Sequence, residues 1–216
     1  ALLHVDPFPP IIDEDLQPGD ILYIPPGFPH DGITQETALN YSVGFRGPNG
    51  RDLISSFADY VLENDLGGEH YSDPDLTCRE HPGRVEEYEL ERLRTMMIDM
   101  IRQPEDFKQW FGSFVTTPRH ELDIAPTEPP YEEEEVVDAL LGGEKLSRLS
   151  GLRVLHIDDS FFVHSEQLDN TDAEALDALC RYTSLGQEEL GSGLQNPAFV
   201  SELTRLINQG YWYFEE

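Results

Sequence analysis

The stretch Leu16-Gln-Pro-Gly-Asp-Ile-Leu-Tyr-Ile-Pro-Pro-Gly-Phe-Pro-His30 decides the fold of the first part of the chain. It begins with a Pro-Gly turn, continues through an apolar segment of strand composition around Ile21 and Tyr23, and ends with a Pro-Pro-Gly corner before His30. The corner interrupts strand pairing and fixes the direction from which His30 enters the next segment. A neutral imidazole held in this way is a good ligand for iron, zinc or copper, so the stretch predicts a metal ligand at His30.

A second strand is predicted directly after this histidine, from Thr37 to Phe45. Its alternation places apolar side chains on one face and small polar ones on the other, with Asn40, Ser42 and Gly44 on the polar face. A small, polar face beside a metal-binding histidine suits a hydrophilic pocket. The same alternation also fits a strand whose polar residues only meet solvent.

These motifs resemble a known family. The spacing Gly19-x5-Pro25-x-Gly27-x2-His30 is similar to the second metal motif of the cupin barrel. The wording PGDILYIPPGFPH (18–30) followed by NYSVGFRGPN (40–49) resembles the JmjC-type ribosomal oxygenases, specifically the bacterial arginine hydroxylases of a large-subunit ribosomal protein. The resemblance extends over essentially the whole chain, through FADYVLENDLGGEHYSDPDL (57–76), FKQWFGSFVTTPRHELDIAPTEPPY (107–131) and GYWYF (210–214).

The resemblance implies an α+β fold with a barrel remnant, a helical region and a winged helix. We expect a C-terminal part of a double-stranded β-helix barrel of the cupin/JmjC type at 1–50 and a helical dimerisation region at 51–123. A Pro/Glu-rich linker is expected at 124–133 and a winged-helix-like domain at 134–216.

The resemblance also implies a function. It is that of an iron(II)- and 2-oxoglutarate-dependent oxygenase that hydroxylates an arginine of a large-subunit ribosomal protein. His30 is then the distal metal ligand and the catalytic residue of this part of the chain. Asn40 and its neighbour Ser42 are then expected at the site of the 2-oxoglutarate cosubstrate.

Such enzymes hold iron with two histidines and one carboxylate, and the family's His-x-Asp lies several strands before the distal histidine. This chain contains His4-Val5-Asp6, but residues 7–29 leave room for about one strand before the motif. We therefore expect His4 and Asp6 to be a surface strand end with an Asp-Pro turn. The remaining ligands are expected upstream of Ala1, so the chain alone is expected to be inactive. The alternative is a non-catalytic assembly scaffold with a relic cupin segment.

Three amphipathic helices are predicted after this segment, over Arg51 to Asp65, Val85 to Arg102 and the residues after Pro104. The first is expected to end at the Gly67-Gly68 pair. Their apolar stripes are wide, and large apolar patches usually mark an interface. We therefore predict a two-fold homodimer through residues 51–117, with the largest contributions from Phe57, Tyr60, Trp110, Phe111 and Phe114.

The last part of the chain predicts a small α/β unit in winged-helix order. It contains helices at 134–141, 172–182 and 198–208, a hairpin about Asp158-Asp159, and a closing strand at 211–214. Residues 138–216 hold 14 acidic and 5 basic side chains, and the helix at 198–208 carries only Arg205. This charge argues against direct DNA binding and favours a role in protein interaction or in intramolecular packing.

Composition agrees with a globular, cytoplasmic protein that has no membrane segment. The chain has 43 acidic and 14 basic residues and a net charge of −29, which disfavours a direct grip on phosphate backbones. Acidity suits a basic partner such as a ribosomal protein, although it also serves solubility. Cys78 and Cys180 are too few to form a disulfide scaffold. A metal site could be imagined from His70, Cys78 and His81, but these residues lack the paired spacing of such sites. We expect this stretch to be an ordinary loop.

Overall fold

The computed structural model describes residues 9–44 and 47–215. The chain forms two compact units, residues 1–47 and residues 48–216. In the first unit, residues 9–44 contain turns and bends but no helix or strand. The strands predicted around Ile21 and over Thr37 to Phe45 are therefore not formed in this part, and Phe45 itself lies outside the described residues.

The apolar side chains of these two segments are exposed. Ile21 is 95% exposed and Leu39 is 88% exposed. A strand exists only when a neighbouring strand completes its hydrogen-bond ladder and a second layer covers its apolar face. Neither condition is met within residues 9–44. The sequence has the composition of strands, but composition alone does not hold a strand in place.

The second unit begins with three helices. They are α1 (Gly50–Glu63), α2 (Glu87–Arg102) and α3 (Pro104–Thr116), close to the predicted positions. Asn49 caps α1 by accepting hydrogen bonds from the backbone of Arg51 and Asp52, and Pro104 occupies the first turn of α3, where its missing N–H costs nothing.

The end of α1 differs from the prediction. The helix stops at Asn64, whose side-chain amide donates to the carbonyl oxygen of Tyr60, and not at the Gly67-Gly68 pair. Gly67 has a φ of 68° and lies against Met100 of α2. An asparagine side chain can satisfy a terminal carbonyl, so a local polar contact ends the helix before the glycines are reached.

Five aromatic side chains join α1 to α3 and are called the aromatic cluster below: Phe57, Phe107, Trp110, Phe111 and Phe114. Trp110 is its centre, with ring centroids 5.1 Å from Phe57 and 5.7 Å from Phe114. Only 4% of Trp110 is exposed. The residues predicted to contribute most to a dimer surface are Phe57, Tyr60, Trp110, Phe111 and Phe114. Of these, Trp110 is instead buried within the monomer, and the dimer itself stays a prediction.

The long connection between α1 and α2 is fixed to α2 by two arginines. Arg79 forms two hydrogen bonds of 2.7 Å to the carboxylate of Glu89, and Arg92 donates to Asp73 at 2.8 Å. The two-pronged geometry of a guanidinium matches a carboxylate and restricts its orientation. The connection is thereby held in one conformation although it contains no helix or strand.

The remaining elements build two small antiparallel sheets. The helices are α4 (Glu133–Leu141), α5 (Ala173–Arg181), α6 (Gln187–Leu190) and α7 (Pro197–Asn208), with a 3₁₀ turn at Gly191–Gln195. The strands are β1 (Leu146–Arg148), β2 (Val154–Ile157), β3 (Ser160–Val163), β4 (Glu166–Leu168), β5 (Ser184–Leu185) and β6 (Trp212–Phe214).

One sheet has the order β5-β1-β6, in which Leu146 lies opposite both Leu185 and Phe214. The other has the order β2-β3-β4 and continues the predicted hairpin, with Val154 opposite Val163. Strands β1, β4 and β5 were not predicted from the sequence. They contain two or three residues each, too few to show a period.

The core of the second unit lies among α4, α5, α7 and the sheets. Its largest fully buried side chains are Trp212, Phe199, Leu140, Leu146, Leu176, Leu179, Leu185, Leu190, Leu203, Leu206 and Ile207. Helix α3 packs on the β2-β3-β4 sheet, where Gly112 lies against Phe162. The Thr116 hydroxyl, at the end of α3, accepts a hydrogen bond of 3.0 Å from the backbone N–H of Ser165.

The predicted linker at 124–133 has no helix or strand before α4 begins at Glu133, and it is hydrogen-bonded along the end of α7. Asn208 and Tyr131 exchange two hydrogen bonds, of 2.8 and 2.9 Å, and the Thr127 N–H donates to the carbonyl of Asn208. The segment is therefore packed on α7. The domain division proposed at this segment stays a prediction. None of the helices in the described part of the chain combines the length and apolar character needed to cross a membrane.

Candidate functional site

The candidate metal ligand His30 follows a tight turn. The Phe28 N–H donates to the carbonyl of Pro25 at 3.3 Å, and Gly27 at the third position of this turn has a φ of 83°. Proline at the second position and a glycine with positive φ at the third are the signature of a type II turn. Any side chain at Gly27 would be strained, so Pro26-Gly27 fixes the corner that precedes His30.

An earlier turn of the same segment has a similar construction. The Asp20 N–H donates to the carbonyl of Gln17 at 3.0 Å, the Gln17 N–H donates to the Asp20 carboxylate at 2.7 Å, and Gly19 has a φ of 98°. A hydrogen bond of 2.6 Å from the Gln35 amide to Asp15 joins the residues before His30 to those after it. Local turns and one side-chain hydrogen bond therefore determine the course of this segment.

The imidazole of His30 is exposed, and its Nδ1 lies 3.4 Å from the carbonyl oxygen of Phe28. A carbonyl only accepts, so this contact favours the tautomer with the proton on Nδ1. The lone pair of Nε2 then points away from the backbone. Metal-binding histidines commonly donate their second ring nitrogen to a backbone carbonyl, which orients the ring. The chemistry of His30 therefore fits a metal ligand.

Asn40 and Ser42 are exposed. Within residues 9–44 and 47–215, no hydrogen bond joins either side chain to His30 or to the other. The structure places the three predicted site residues in the same unit, and within the described residues no hydrogen bond joins them. Their assignment to a cosubstrate site stays a prediction.

The described residues provide one ligand position and not a complete metal centre. No group of three or more His, Cys, Asp or Glu side chains comes together there to hold an ion. This includes His70, Cys78 and His81, which form no such group. His4 and Asp6 lie outside the described residues. The donor chemistry of His30 fits iron, whereas the ligand count within the described residues does not.

The acidic winged-helix part leaves little cationic surface on α7. Arg205 is its one cation, and its guanidinium contacts the carboxylates of Glu202 at 2.6 Å and Glu166 at 3.0 Å. Six of its residues are buried in the core: Phe199, Val200, Leu203, Thr204, Leu206 and Ile207. A helix that reads DNA must present an accessible, basic face to the major groove. Helix α7 presents neither.

Two histidines, His120 and His164, line one pocket. The pocket has a volume of about 490 Å³ and lies between the segment after α3 and the β3–β4 turn, lined by Pro118, Arg119, His120, Glu121, Leu122, Ile124 and His164. The one sequence signal was His164-Ser165 at a hairpin turn where Asn-Gly is usual. Recognising that signal requires knowing that β4 exists.

The chain matches two family models. Residues 99–213, more than half of the 216, match the ROXA-like winged helix, and residues 1–53 match the JmjC domain. The first match begins inside α2 and includes α3, in agreement with the packing of α3 on the β2-β3-β4 sheet.

The chain is also similar to characterised proteins. It is 58% identical over 214 residues to the ribosomal protein uL16 3-hydroxylase of Escherichia coli strain K12, covering 99% of this chain and 57% of that protein. It is 25% identical over 197 residues to a probable ribosomal oxygenase of Haemophilus influenzae, covering 81% of this chain and 46% of that protein. The chain thus spans about half the length of these relatives.

Solved structures show the same similarity. The ribosomal oxygenase YcfD from Escherichia coli, in complex with cobalt and 2-oxoglutarate, superposes with a TM-score of 0.93 at 57% identity, covering 100% of this chain and 60% of that one. A second structure of YcfD, with cobalt and succinic acid, has the same TM-score and identity and covers 98% of this chain and 59% of that one. The chain therefore belongs to the family of ROXA-like winged-helix proteins, and its first 53 residues match the JmjC domain.

Proposed function

We propose that the chain is the C-terminal part of an iron(II)- and 2-oxoglutarate-dependent oxygenase that hydroxylates an arginine of a large-subunit ribosomal protein. The observation that carries the proposal is the 58% identity with the uL16 3-hydroxylase over 99% of this chain. The turn before His30, with its Pro26-Gly27 corner, supports the same reading. A basic ribosomal substrate also suits a chain with a net charge of −29.

The residues of this chain then have distinct roles. Bound iron(II) with 2-oxoglutarate supplies the oxidising chemistry for C–H hydroxylation. His30 contributes one ligand through Nε2, while its Nδ1–H is held by the carbonyl of Phe28. Asn40 and Ser42 supply a donor amide and a hydroxyl to the cosubstrate. The other two ligands come from another part of the whole protein, so this chain alone is expected to bind the ion weakly and to lack turnover.

A chimera tests the proposal. The part of the E. coli hydroxylase that this chain does not cover is joined ahead of residue 1, and hydroxylation of the ribosomal protein is followed by mass spectrometry. We expect 2-oxoglutarate-dependent addition of one oxygen to an arginine and its loss in His30→Ala. His81→Ala is the matched control, because His81 is also an exposed loop histidine. A chimera that folds but stays inactive, or a fully active His30→Ala chimera, contradicts the proposal.

The isolated chain gives a second test. A single imidazole does not hold iron(II) tightly, so manganese(II), used as a stand-in, is expected to bind weakly. Tight, stoichiometric binding that is lost in His4→Ala would instead assign His4 and Asp6 as ligands and overturn the expected ligand set.

We also propose a two-fold homodimer through the helices within 51–117. Within the aromatic cluster Trp110 is buried and Phe57, Phe111 and Phe114 are partly buried, so we place the partner surface on the outer face of α1 and α2. Its exposed apolar side chains are Ile54, Leu62, Leu90, Leu93, Met97 and Ile101. Isologous contact of two such faces removes them from water. A cytoplasmic location and the absence of direct DNA binding belong to the same proposal, since α7 offers no free basic face.

The non-catalytic scaffold is the second candidate function. The observation in its favour is that the described residues bring together no three-ligand metal group. Under this reading, the chimera would remain inactive while the dimer still formed.

A further inference from the structure

The pocket between the segment after α3 and the β3–β4 turn has the features of a built site. Strands β3 and β4 are joined by two residues, His164 and Ser165, because Val163 lies opposite Glu166. Both have positive φ values, 47° and 70°. Such a turn normally uses Asn-Gly, and a histidine held there is strained. Strained backbone persists where the surrounding structure enforces it, and it concentrates at functional sites.

The surrounding contacts hold His164 in place. Its ring lies 5.2 Å from the ring of Tyr211, centroid to centroid, and its backbone N–H donates to the carbonyl of Arg153 at 3.3 Å. The neighbouring Ser165 N–H is bonded to Thr116 at the end of α3. The imidazole therefore keeps one orientation at the wall of the pocket.

The two ring nitrogens of His164 have different surroundings. Its Nδ1 is buried and has no hydrogen-bond partner within the described residues. A proton on Nδ1 would be a buried donor without an acceptor, so the proton belongs on Nε2. Nε2 is then the donor of this ring, available to an acceptor on a bound ligand. His120, exposed on the facing segment, supplies a second imidazole.

The rest of the pocket wall contains apolar side chains, which restricts the class of ligand that fits. Pro118, Leu122 and Ile124 are partly buried and alternate with polar neighbours along the segment. A ligand that fits must combine an acceptor group with an apolar body. A transition metal is disfavoured, because His120, Glu121 and His164 form no three-ligand group among the described residues.

The geometry points to a binding site for a small organic carboxylate, whose oxygens accept hydrogen bonds from His120 and His164 while Pro118, Leu122 and Ile124 cover its apolar body. The volume of about 490 Å³ is within the range of small-molecule pockets. The site lies in the winged-helix part and is independent of His30.

The test is a titration of the full chain, labelled with ¹⁵N at its histidine rings, with sodium benzoate. We expect saturable shifts of the His120 and His164 ring signals, with benzylamine and inorganic phosphate at least about tenfold weaker. His164→Phe, which keeps a ring against Tyr211, is expected to weaken benzoate binding by about tenfold. His156→Phe is the matched control, because His156 also stacks on an aromatic ring, that of Phe161 at 5.4 Å, and is expected to bind benzoate normally.

His120→Gln gives an independent variant, since within residues 9–44 and 47–215 its exposed side chain has no hydrogen-bond or ion-pair partner to lose. It carries the test if His164→Phe does not fold. Equal binding of benzylamine, equal binding of phosphate, unshifted His120 and His164 rings, or unchanged benzoate affinity in His120→Gln would each overturn the proposal.

Discussion

Gly112 of α3 lies directly against the ring of Phe162 on β3, and no side chain fits between them. A Cβ atom at Gly112 would overlap the ring, and Phe162 is fully buried and cannot move aside. This contact sets the distance between α3 and the β2-β3-β4 sheet. It links the helical region to the winged-helix part more closely than a division at 124–133 implies.

Gly112→Ala is expected to destabilise the chain. Overpacking a buried contact costs roughly 1 to 3 kcal/mol, which exceeds the ~1 kcal/mol that alanine contributes over glycine inside a helix. The measurement is the free energy of unfolding from denaturant titration. Gly50→Ala is the control, since α1 begins there and, apart from its chain neighbours and its own helix, no heavy atom of the described residues lies within 4 Å of its added Cβ. A Gly112→Ala protein as stable as wild type would show that α3 does not pack on Phe162.

The Arg79–Glu89 pair predicts a loss of stability in acid. The hydrogen bonds from Arg79, followed by the backbone N–H of Glu86, lower the pKa of Glu89 to about 2. Because the folded pKa lies below the unfolded value of 4.5, the contribution of this pair is complete above that value. It is lost as the pH falls from there toward 2.

The measurement compares wild type with Glu89→Gln by denaturant unfolding between neutral pH and pH 3. The variant should be less stable at neutral pH, and the difference should shrink on acidification. Glu91→Gln removes the exposed carboxylate that pairs with Arg94. It should change neither the free energy of unfolding at neutral pH nor its dependence on pH appreciably. A constant difference between wild type and Glu89→Gln across this pH range would contradict the assignment.

Ser165→Gly is expected to stabilise the chain. Ser165 has a φ of 70°, a region that costs a non-glycine residue roughly 1 to 2 kcal/mol, while the extra backbone freedom of glycine costs about 0.5 to 1 kcal/mol. The net gain is then up to about 1.5 kcal/mol, seen as a higher melting temperature. The hydrogen bond to Thr116 is preserved because it uses the Ser165 backbone. Ser160→Gly, in strand β3, should instead destabilise the chain.

Local signals made the helices of the second unit predictable. Asn49 and Pro104 mark helix starts, and the apolar period continues over three or four turns, so α1, α2 and α3 were located within a few residues. The end of α1 predicted at Gly67-Gly68 is wrong, because the side-chain amide of Asn64 ends the helix earlier. Capping by a side chain depends on a rotamer that the sequence does not display.

Non-local pairing explains what the sequence did not predict. Strand β1 exists because Leu146 pairs with Leu185 and with Phe214, which lie 39 and 68 positions further along the chain. Around Ile21 a strand was predicted that is not formed, because the segment has no pairing strand within residues 9–44. For the candidate site, the motif predicted His30 as a metal ligand, which stays a prediction. The proximity of His120 to His164 could not be predicted, because it follows from a turn that only the folded chain reveals.

Met97→Glu is expected to weaken the proposed dimer. Met97 is 65% exposed on α2 and lies on the face that also carries Leu90, Leu93 and Ile101. A carboxylate there would be buried without a partner in the interface, which predicts at least about a tenfold increase in the dimer dissociation constant. Sedimentation velocity at micromolar concentrations gives that constant. Thr95→Glu places the same charge on an exposed position of the same helix and should leave it unchanged. A wild-type chain that is monomeric at these concentrations, or equal dissociation constants for the wild type and Met97→Glu, would remove α2 from the interface.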